Sequence, residues 1–438
     1  MLDYVALEMR MAELMAVQQR SGFRFDKKRA EEVRIELQQE FDDLHSQLIK
    51  KFPYVPGKIF TPKRADKSKG FVAGAPLTRL EPFKPTSRQN IAWVLQQFRN
   101  ARFTKVTKTG KPQVNEASLS EIQDHALQIG NQMLHKDCEM FIRLLTLQKW
   151  LGQLSEGDNS WINMIEQDGC IHHSCMLATQ TGRNVHRGPN IGQTNKESWA
   201  RKLFVPHPGH VMVGCDLDGL ELRCLGGYLY RFDGGEFANG LLNGDIHQIN
   251  ADKISTPEVP VSRDLVKSLT YAFTYGSGDV RLGHIAKPEY SDAAKKELGQ
   301  VFRRKLIEVI PGLNRLNEAV KDRVREYGYL KGLDGRPIYC RAEYSGLNFL
   351  LQSAGAILSK RWCVISQEMI DEAGLVYDID YTRCAYVHDE QQFSVLPSEA
   401  ERVAKILVDA APKAGQYYNF KVPITAKSDI GQSWADTH

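Results

Sequence analysis

Apolar residues recur every three or four positions along the first fifty residues: Leu7, Met11 and Leu14, then Val33, Leu37, Phe41, Leu44 and Leu48. That period turns a continuous stripe towards a core, so two helices are predicted, separated where the pattern breaks at SGFRFD (21–26). The next stretch, KFPYVPGKIFTPKRADKSKGFVAGAPL, is crowded with Pro, Gly and Lys and reads as loop or irregular structure. Helical spacing returns over 86–100 and 117–155 and stops at the turn cluster SEGDNSW. Beyond 160 the pattern shortens. Residues 161–177 alternate as strand pieces around the turn QDG. Strands are predicted at 210–217, 336–341, 383–388 and 391–396, and helices at 219–230, 245–255, 262–275, 290–325, 345–372 and 398–412. Long helices between a few well-separated strands indicate an α+β protein whose sheet is assembled from distant segments.

Composition narrows this to an ordinary globular chain. Of its 438 residues 42% are hydrophobic and 25% charged, and no apolar run approaches the roughly 20 residues a membrane helix needs. The N-terminus carries acids early and reads as an amphipathic helix, not a targeting segment. Eight cysteines, at 138, 170, 175, 215, 224, 340, 363 and 384, form no CxxC pair, so reduced thiols in a cytoplasmic setting are expected. CIHHSC (170–175) superficially resembles a metal site, but on a strand its four side chains would alternate between two faces. The net charge of +4 hides an asymmetry. Between Lys50 and Lys111 stand 15 Lys and Arg against Asp66 and Glu81, a local balance of +13 that leaves the rest at −9. Such a run is either a surface for a polyanion, nucleic acid above all, or a solvated loop.

Four stretches carry candidate chemistry. In VMVGCDLDGLELR (211–223) a buried strand delivers Asp216 and Asp218 at its end, with Glu221 following on a helix. A rigid strand end suits a metal-binding carboxylate that must stay open to substrate. DxD pairs also serve glycosyltransferases and plain helix caps. CAYVHDEQQFSVL (384–396) reads as a β-hairpin with His388, Asp389 and Glu390 at its tip, a second place to present a carboxylate. In RDLVKSLTYAFTYGSG (263–278), Arg263, Lys267, Tyr271 and Tyr275 fall four apart on one helical face, two cations then two rings, which suits a nucleoside triphosphate. The bland alternative is an amphipathic surface helix. His247, in NGDIHQIN, is either a phosphate donor or a first-turn residue of a helix begun by Asp245. The loop TGRNVHRGPNIGQ (181–193) suits polar groups on a nucleic-acid backbone or in its minor groove.

Taken in order, TGRNVHRGPNIGQ, DLDGLELR, GDIH, RDLVKSLTYAFTYG and YVHDE resemble the motif series of family A (DNA polymerase I-like) DNA polymerases. SGFRFD, FVAGAP, KGLDGR, LNFLLQSAGAILSK and IGQSWADTH look closest to the short-tailed-bacteriophage branch. The resemblance runs almost end to end. It implies a right-hand architecture: a thumb at 1–160 with a shortened basic insertion at about 52–85, palm at 161–230, fingers at 231–335 and the rest of the palm at 336–438, with an antiparallel palm sheet and mostly helical thumb and fingers. It implies DNA-directed DNA synthesis in phage genome replication, with primer-template DNA and deoxynucleoside triphosphates as partners. Asp216 and Asp389 match the catalytic carboxylates that hold two Mg²⁺ ions, for which Mn²⁺ substitutes, and the Leu217 carbonyl completes their shell. Arg263, Lys267 and His247 match the triphosphate grip. Tyr271 matches the position that packs on the incoming base and sugar, and Glu221 the residue that excludes a 2′-hydroxyl. Arg183, Asn348, Gln352 and His388 fall where the family touches the primer terminus and minor groove.

Three departures from the family pattern shape further expectations. The thumb pattern begins almost at Met1, so no 3′-5′ exonuclease is expected in this chain; either a separate polypeptide supplies one or the sequence is a trimmed piece of a longer protein. The basic stretch is much shorter than the phage insertion that captures thioredoxin as a processivity factor. That puts thioredoxin dependence in doubt and makes Lys58, Lys63, Arg64, Lys67 and Lys69 candidates for holding DNA directly. Asp218 stands where the family has a small serine; a helix-cap or local hydrogen-bonding role is expected over one facing the metals. A single-subunit RNA polymerase and a catalytically silent DNA-binding replication scaffold are the alternatives. The bulk of Glu221 argues against the first and the full set of ionisable groups against the second.

Overall fold

The computed structural model of the chain describes residues 2–176, 179–194, 198–255, 261–288 and 290–438. They fall into two compact units, one of residues 1–30 with 158–438, the other of residues 31–157. The sequence reading had assigned residues 1–30 to the first segment. They cluster with the larger unit because the apolar stripe Leu7, Met11, Leu14 and Met15 is buried against Ile357, Cys363, Val364 and Tyr386.

The larger unit is organised on a four-stranded antiparallel sheet. Its strands are β1 (Val211–Leu217), β2 (Tyr381–Val387), β3 (Glu390–Val395) and β4 (Ala426–Gly431), in the order β2-β3-β1-β4. β1 is central, flanked by partners from far along the chain, and its near-continuous apolar run follows from burial on both faces. Four helices carry the residues singled out by sequence: α1 (Leu220–Asp233), α2 (Ile246–Ile254), α3 (Arg263–Thr274) and α4 (Gly346–Glu372). α4 has 18 buried residues. A helix apolar on nearly every side belongs inside a core, and Leu350, Leu351, Leu358 and Trp362 join Val213, Phe393 and Leu225 in the main cluster.

The predicted elements lie close to the observed ones, with two systematic differences. The single helix expected over 290–325 is two, Asp292–Val309 and Leu313–Tyr327, divided at Pro311 and Gly312, where Gly312 adopts φ 76°. The stretch 117–155 likewise divides into Glu116–Gln128 and Gln132–Leu154 around Gly130. The strand pieces of 161–177 reduce to Cys170–Ile171 and Ser174–Met176, and residue 177 lies outside the described residues. β4 was not predicted: AKSDIG has neither an apolar run nor clean alternation, and its pairing with β1 holds it in the sheet.

The smaller unit packs the helices Arg88–Arg99, Glu116–Gln128 and Gln132–Leu154 on residues 31–51 of the helix Lys27–Lys51, around Leu48, Phe52, Ile91, Leu95 and Phe141. Asp137 is fully buried there and accepts from Lys51 and, at 2.6 Å, from Arg99. The basic stretch is better ordered than its composition suggested. Tyr54–Pro56 pairs with Leu80–Pro82, Phe60 bridges to Leu77 and Asp66 to Phe71, and the Phe60 and Phe71 rings lie 5.6 Å apart.

Candidate active site

Sheet register brings the two distant aspartates together. Glu390 is the direct cross-strand partner of Asp216, and the Leu217 N–H donates to the Asp389 carbonyl at 3.0 Å. His388 and Asp389 form the two-residue turn between β2 and β3, with His388 in the left-handed region at φ 56°. The turn is anchored from behind by Ser359 of α4, whose hydroxyl donates to the His388 carbonyl at 2.7 Å. Hairpin and strand end thus hold Asp216 and Asp389 on a common rim.

The electrostatics of that rim are unfavourable to charge. Burial and the neighbouring Glu390 push Asp216 up to about 6, while burial, Asp216 and Glu221 push Asp389 up to about 7. Carboxylates crowded this way resist ionising together unless a cation joins them. Glu390 behaves differently. Burial raises it, but the hydrogen bond from His438 Nδ1 at 3.0 Å, the charges of His438 and Arg201 and the Gln392 hydrogen bond together outweigh that and hold it below the usual carboxylate range. Gln392 at 2.7 Å and the Trp434 indole N–H also donate to it. Glu390 is therefore a committed structural carboxylate, whereas among the described residues no side chain donates to the carboxylate of Asp216 or Asp389. The sequence shows Glu390 only as a member of the hairpin tip; besides Gln392, its anchors Trp434 and His438 lie 44 and 48 residues further along, and nothing local signals them.

The turn after β1 answers the question of the second aspartate. Asp218 does not cap α1, whose N-cap is Gly219 with φ 52° and no side-chain cap. Its carboxylate accepts from the Thr425 hydroxyl at 2.7 Å, and its N–H donates to the Thr425 carbonyl at 2.9 Å. Its side-chain hydrogen bonding is therefore to a strand entrance 207 residues away, not to its own turn or helix.

Glu221, one residue into α1, accepts from the Tyr275 hydroxyl at 2.6 Å and from Arg183 Nη2 at 3.1 Å. Burial, reinforced by Glu221, raises the Tyr275 phenol well above its ordinary range, so it stays a donor. The Gly-Arg loop, α1 and the end of α3 therefore meet at one carboxylate. Asn348 extends this junction, donating to the Thr274 carbonyl at 3.0 Å and accepting from Gln352 at 3.1 Å. Gly276, at φ 75°, lets the chain pass Asn348 closely: an added Cβ would come within 3.3 Å of the Asn348 Cβ.

Along α3, Arg263 and Lys267 are exposed, whereas Tyr271 is half-buried with its ring 5.9 Å from that of His247. Arg263 is pre-positioned by Asp245, which accepts at 2.5 Å while its other oxygen caps α2 through the His247 and Gln248 N–H groups. His247 itself is buried, and Nδ1 has no hydrogen-bond partner among the described residues. The structure thus brings Arg183, Glu221, His388 and Asp389 to one cleft, lined also by Gly355 of α4. Lys58, Lys63, Arg64, Lys67 and Lys69 belong to the other unit, all exposed, with Lys69 paired to Asp66 at 3.6 Å.

The family model for DNA polymerase family A matches residues 73–436. The chain belongs to DNA polymerase family A. It is 31% identical to the DNA-directed DNA polymerase of Escherichia phage T7 over the whole of this chain and 70% of that protein, and 27% identical to the DNA polymerase of Mycobacterium phage L5 over 73% of this chain. The fold matches the polymerase domain of Pol1 from M. smegmatis, solved in complex with DNA primer-template and dNTP, with a TM-score of 0.76 and 19% identity over 98% of this chain. This family A chain is a DNA-directed DNA polymerase with the right-hand architecture, and the four-stranded sheet is its palm. No helix among its described residues is long and apolar enough to cross a membrane.

Proposed function

We propose that this polymerase extends a primer 3′-hydroxyl on a DNA template from deoxynucleoside triphosphates, with Asp216 and Asp389 as its catalytic metal ligands. The carrying observation is the pair itself: two carboxylates from distant strands, joined through the Leu217–Asp389 backbone bond, both held above the ordinary carboxylate range by burial and by other carboxylates. Hard oxygen donors with uncompensated negative charge fit Mg²⁺ or Mn²⁺, and the Leu217 carbonyl would complete their shell. When bound, two such ions would supply activation of the primer hydroxyl and charge stabilisation at the triphosphate.

The protein's own residues do the positioning. Arg263, steadied by Asp245, and Lys267 bind the triphosphate, with His247 behind them. Tyr271 packs on the base and sugar. Glu221, fixed from two sides by Tyr275 and Arg183, occupies the space a 2′-hydroxyl would need and so selects deoxyribose. Arg183, Asn348, Gln352 and His388 contact the primer terminus and minor groove, where acceptors are alike for every base pair and geometry is tested without reading sequence. Residues 31–157 act as the thumb, and their basic segment holds DNA.

Primer extension with Mg²⁺ tests the assignment. Asp216→Asn and Asp389→Asn are each expected to lose at least about 10²-fold in kcat, the scale on which loss of transition-state charge stabilisation is felt. A loss of less than about 10-fold in either would overturn it. Substituting ribonucleotides decides against the RNA polymerase reading if they are rejected.

A further inference from the structure

The segment between the catalytic strand and the sugar-selecting helix is two residues long, Asp218 and Gly219, and it is held by two hydrogen bonds from one remote strand entrance and a brace from the helix itself. Asp218 exchanges two hydrogen bonds with Thr425, hydroxyl to carboxylate at 2.7 Å and N–H to carbonyl at 2.9 Å. Arg223, one turn into α1, closes the third side: Nε donates to the Asp218 carbonyl at 2.6 Å and Nη1 to the Pro423 carbonyl at 2.5 Å. Thr425 immediately precedes β4, which pairs along β1 from Ala426 opposite Leu217. On the other flank the Leu217 N–H is taken by Asp389.

We infer that Asp218 is a positioning residue: by clamping the β1–α1 turn to Thr425 it sets Asp216, two residues before, and Glu221, three residues after, relative to one another. The turn needs such a clamp. Gly219 is exposed, with no Cβ and φ 52°, so it contributes no side-chain contact of its own and resists distortion less than any other residue. A serine at 218 could bond one backbone group locally, but the longer carboxylate reaches the neighbouring strand. Side-chain clamp and guanidinium brace act on the same peptide, so they form a unit whose parts lose function together.

This inference rests on the assignment of Glu221 as sugar gate and Asp216 as metal ligand, and its test leaves both residues intact. Thr425→Val, Asp218→Ala and their double variant are compared by single-turnover incorporation, by melting temperature, and by equilibrium binding of deoxy- and ribonucleotides to a complex with a dideoxy-terminated primer, where no chemistry occurs. Each single variant should lower kcat about 3–10-fold with a smaller change in KM, and should narrow the deoxy-to-ribo binding ratio about 3-fold or more. The double variant should be no worse than the more affected single one, and Thr425→Ser should restore the original values. Unchanged sugar selectivity in Thr425→Val, or losses that multiply in the double variant, would overturn the proposal. Failure of Asp216→Asn to abolish extension would instead remove the metal assignment beneath it.

Discussion

The Tyr275 hydroxyl donates to Glu221 at 2.6 Å, joining the end of α3 to the start of α1, the helix that follows β1. Arg183 holds the same carboxylate from the loop side at 3.1 Å. Removing Glu221 empties the space, whereas removing the phenol only frees the carboxylate to move. Glu221→Ala should therefore raise ribonucleotide incorporation most, and Tyr275→Phe by about 10-fold, the lower end of what a charge-assisted hydrogen bond is worth. Competing deoxy- and ribonucleotide incorporation on one primer measures both. Equal selectivity in Tyr275→Phe and the parent would show that Glu221 needs no such support.

Two buried histidines make stability depend on pH. Burial holds His173 down at about 3 and His186 at about 4, and their rings lie 5.4 Å apart. The Gln18 amide nitrogen, which can only donate, reaches His173 Nε2 at 3.1 Å, so that ring is neutral. Their folded values lie below the unfolded ones of about 6.5, so the unfolded chain takes up protons first as pH falls. Stability is complete above about 6.5 and is lost progressively towards 4, by about 2 kcal/mol per histidine at pH 5. Denaturant unfolding between pH 7 and 5 should show this slope, reduced in His186→Gln. A flat profile would mean that both histidines are protonated in the fold.

Asp137 anchors the smaller unit. Its carboxylate is fully buried and shared by Lys51 and Arg99. Asp137→Ala leaves Arg99, only 14% exposed, without its carboxylate, a change expected to cost roughly 3–5 kcal/mol. Calorimetry should show the transition of this unit lowered. A loss below about 1 kcal/mol would show that water reaches the Arg99 guanidinium.

Neutralising Lys58, Lys63, Arg64, Lys67 and Lys69 together should weaken primer-template binding and reduce the slope of log affinity against log salt by up to about 4, close to 0.9 per lost phosphate contact. Fluorescence anisotropy across 50–300 mM salt (roughly the range in which such slopes are read) gives the number. An unaltered slope would assign this segment to a protein partner.

Sequence periodicity located most helices within a few residues, since each buries one stripe and the stripe is written locally. It also exposed Asp216 and Asp389, because each ends an apolar strand. What it concealed is pairing at a distance. β4 is invisible in AKSDIG because its place depends on the backbone edge offered by β1 and not on its own side chains. The partners of Glu390, Asp218 and Asp137 are hidden for the same reason. The break at Pro311 and Gly312 was legible as a breaker pair, but the apolar spacing continues on both sides and masked it. The burial of residues 1–30 against α4 shows how one amphipathic stripe serves equally well in either unit until its counterpart is known.

The strand order β2-β3-β1-β4 also bears on the making of the protein. A chain emerging residue by residue delivers β1 long before either neighbour, and both edges of that apolar strand wait unpaired. Pairings so remote in sequence are slow to find, and bare hydrophobic strands invite association with other chains. The sheet is therefore completed late, first on the β3 side and then on the β4 side, and a chain that stops short of residue 389 holds Asp216 without Asp389.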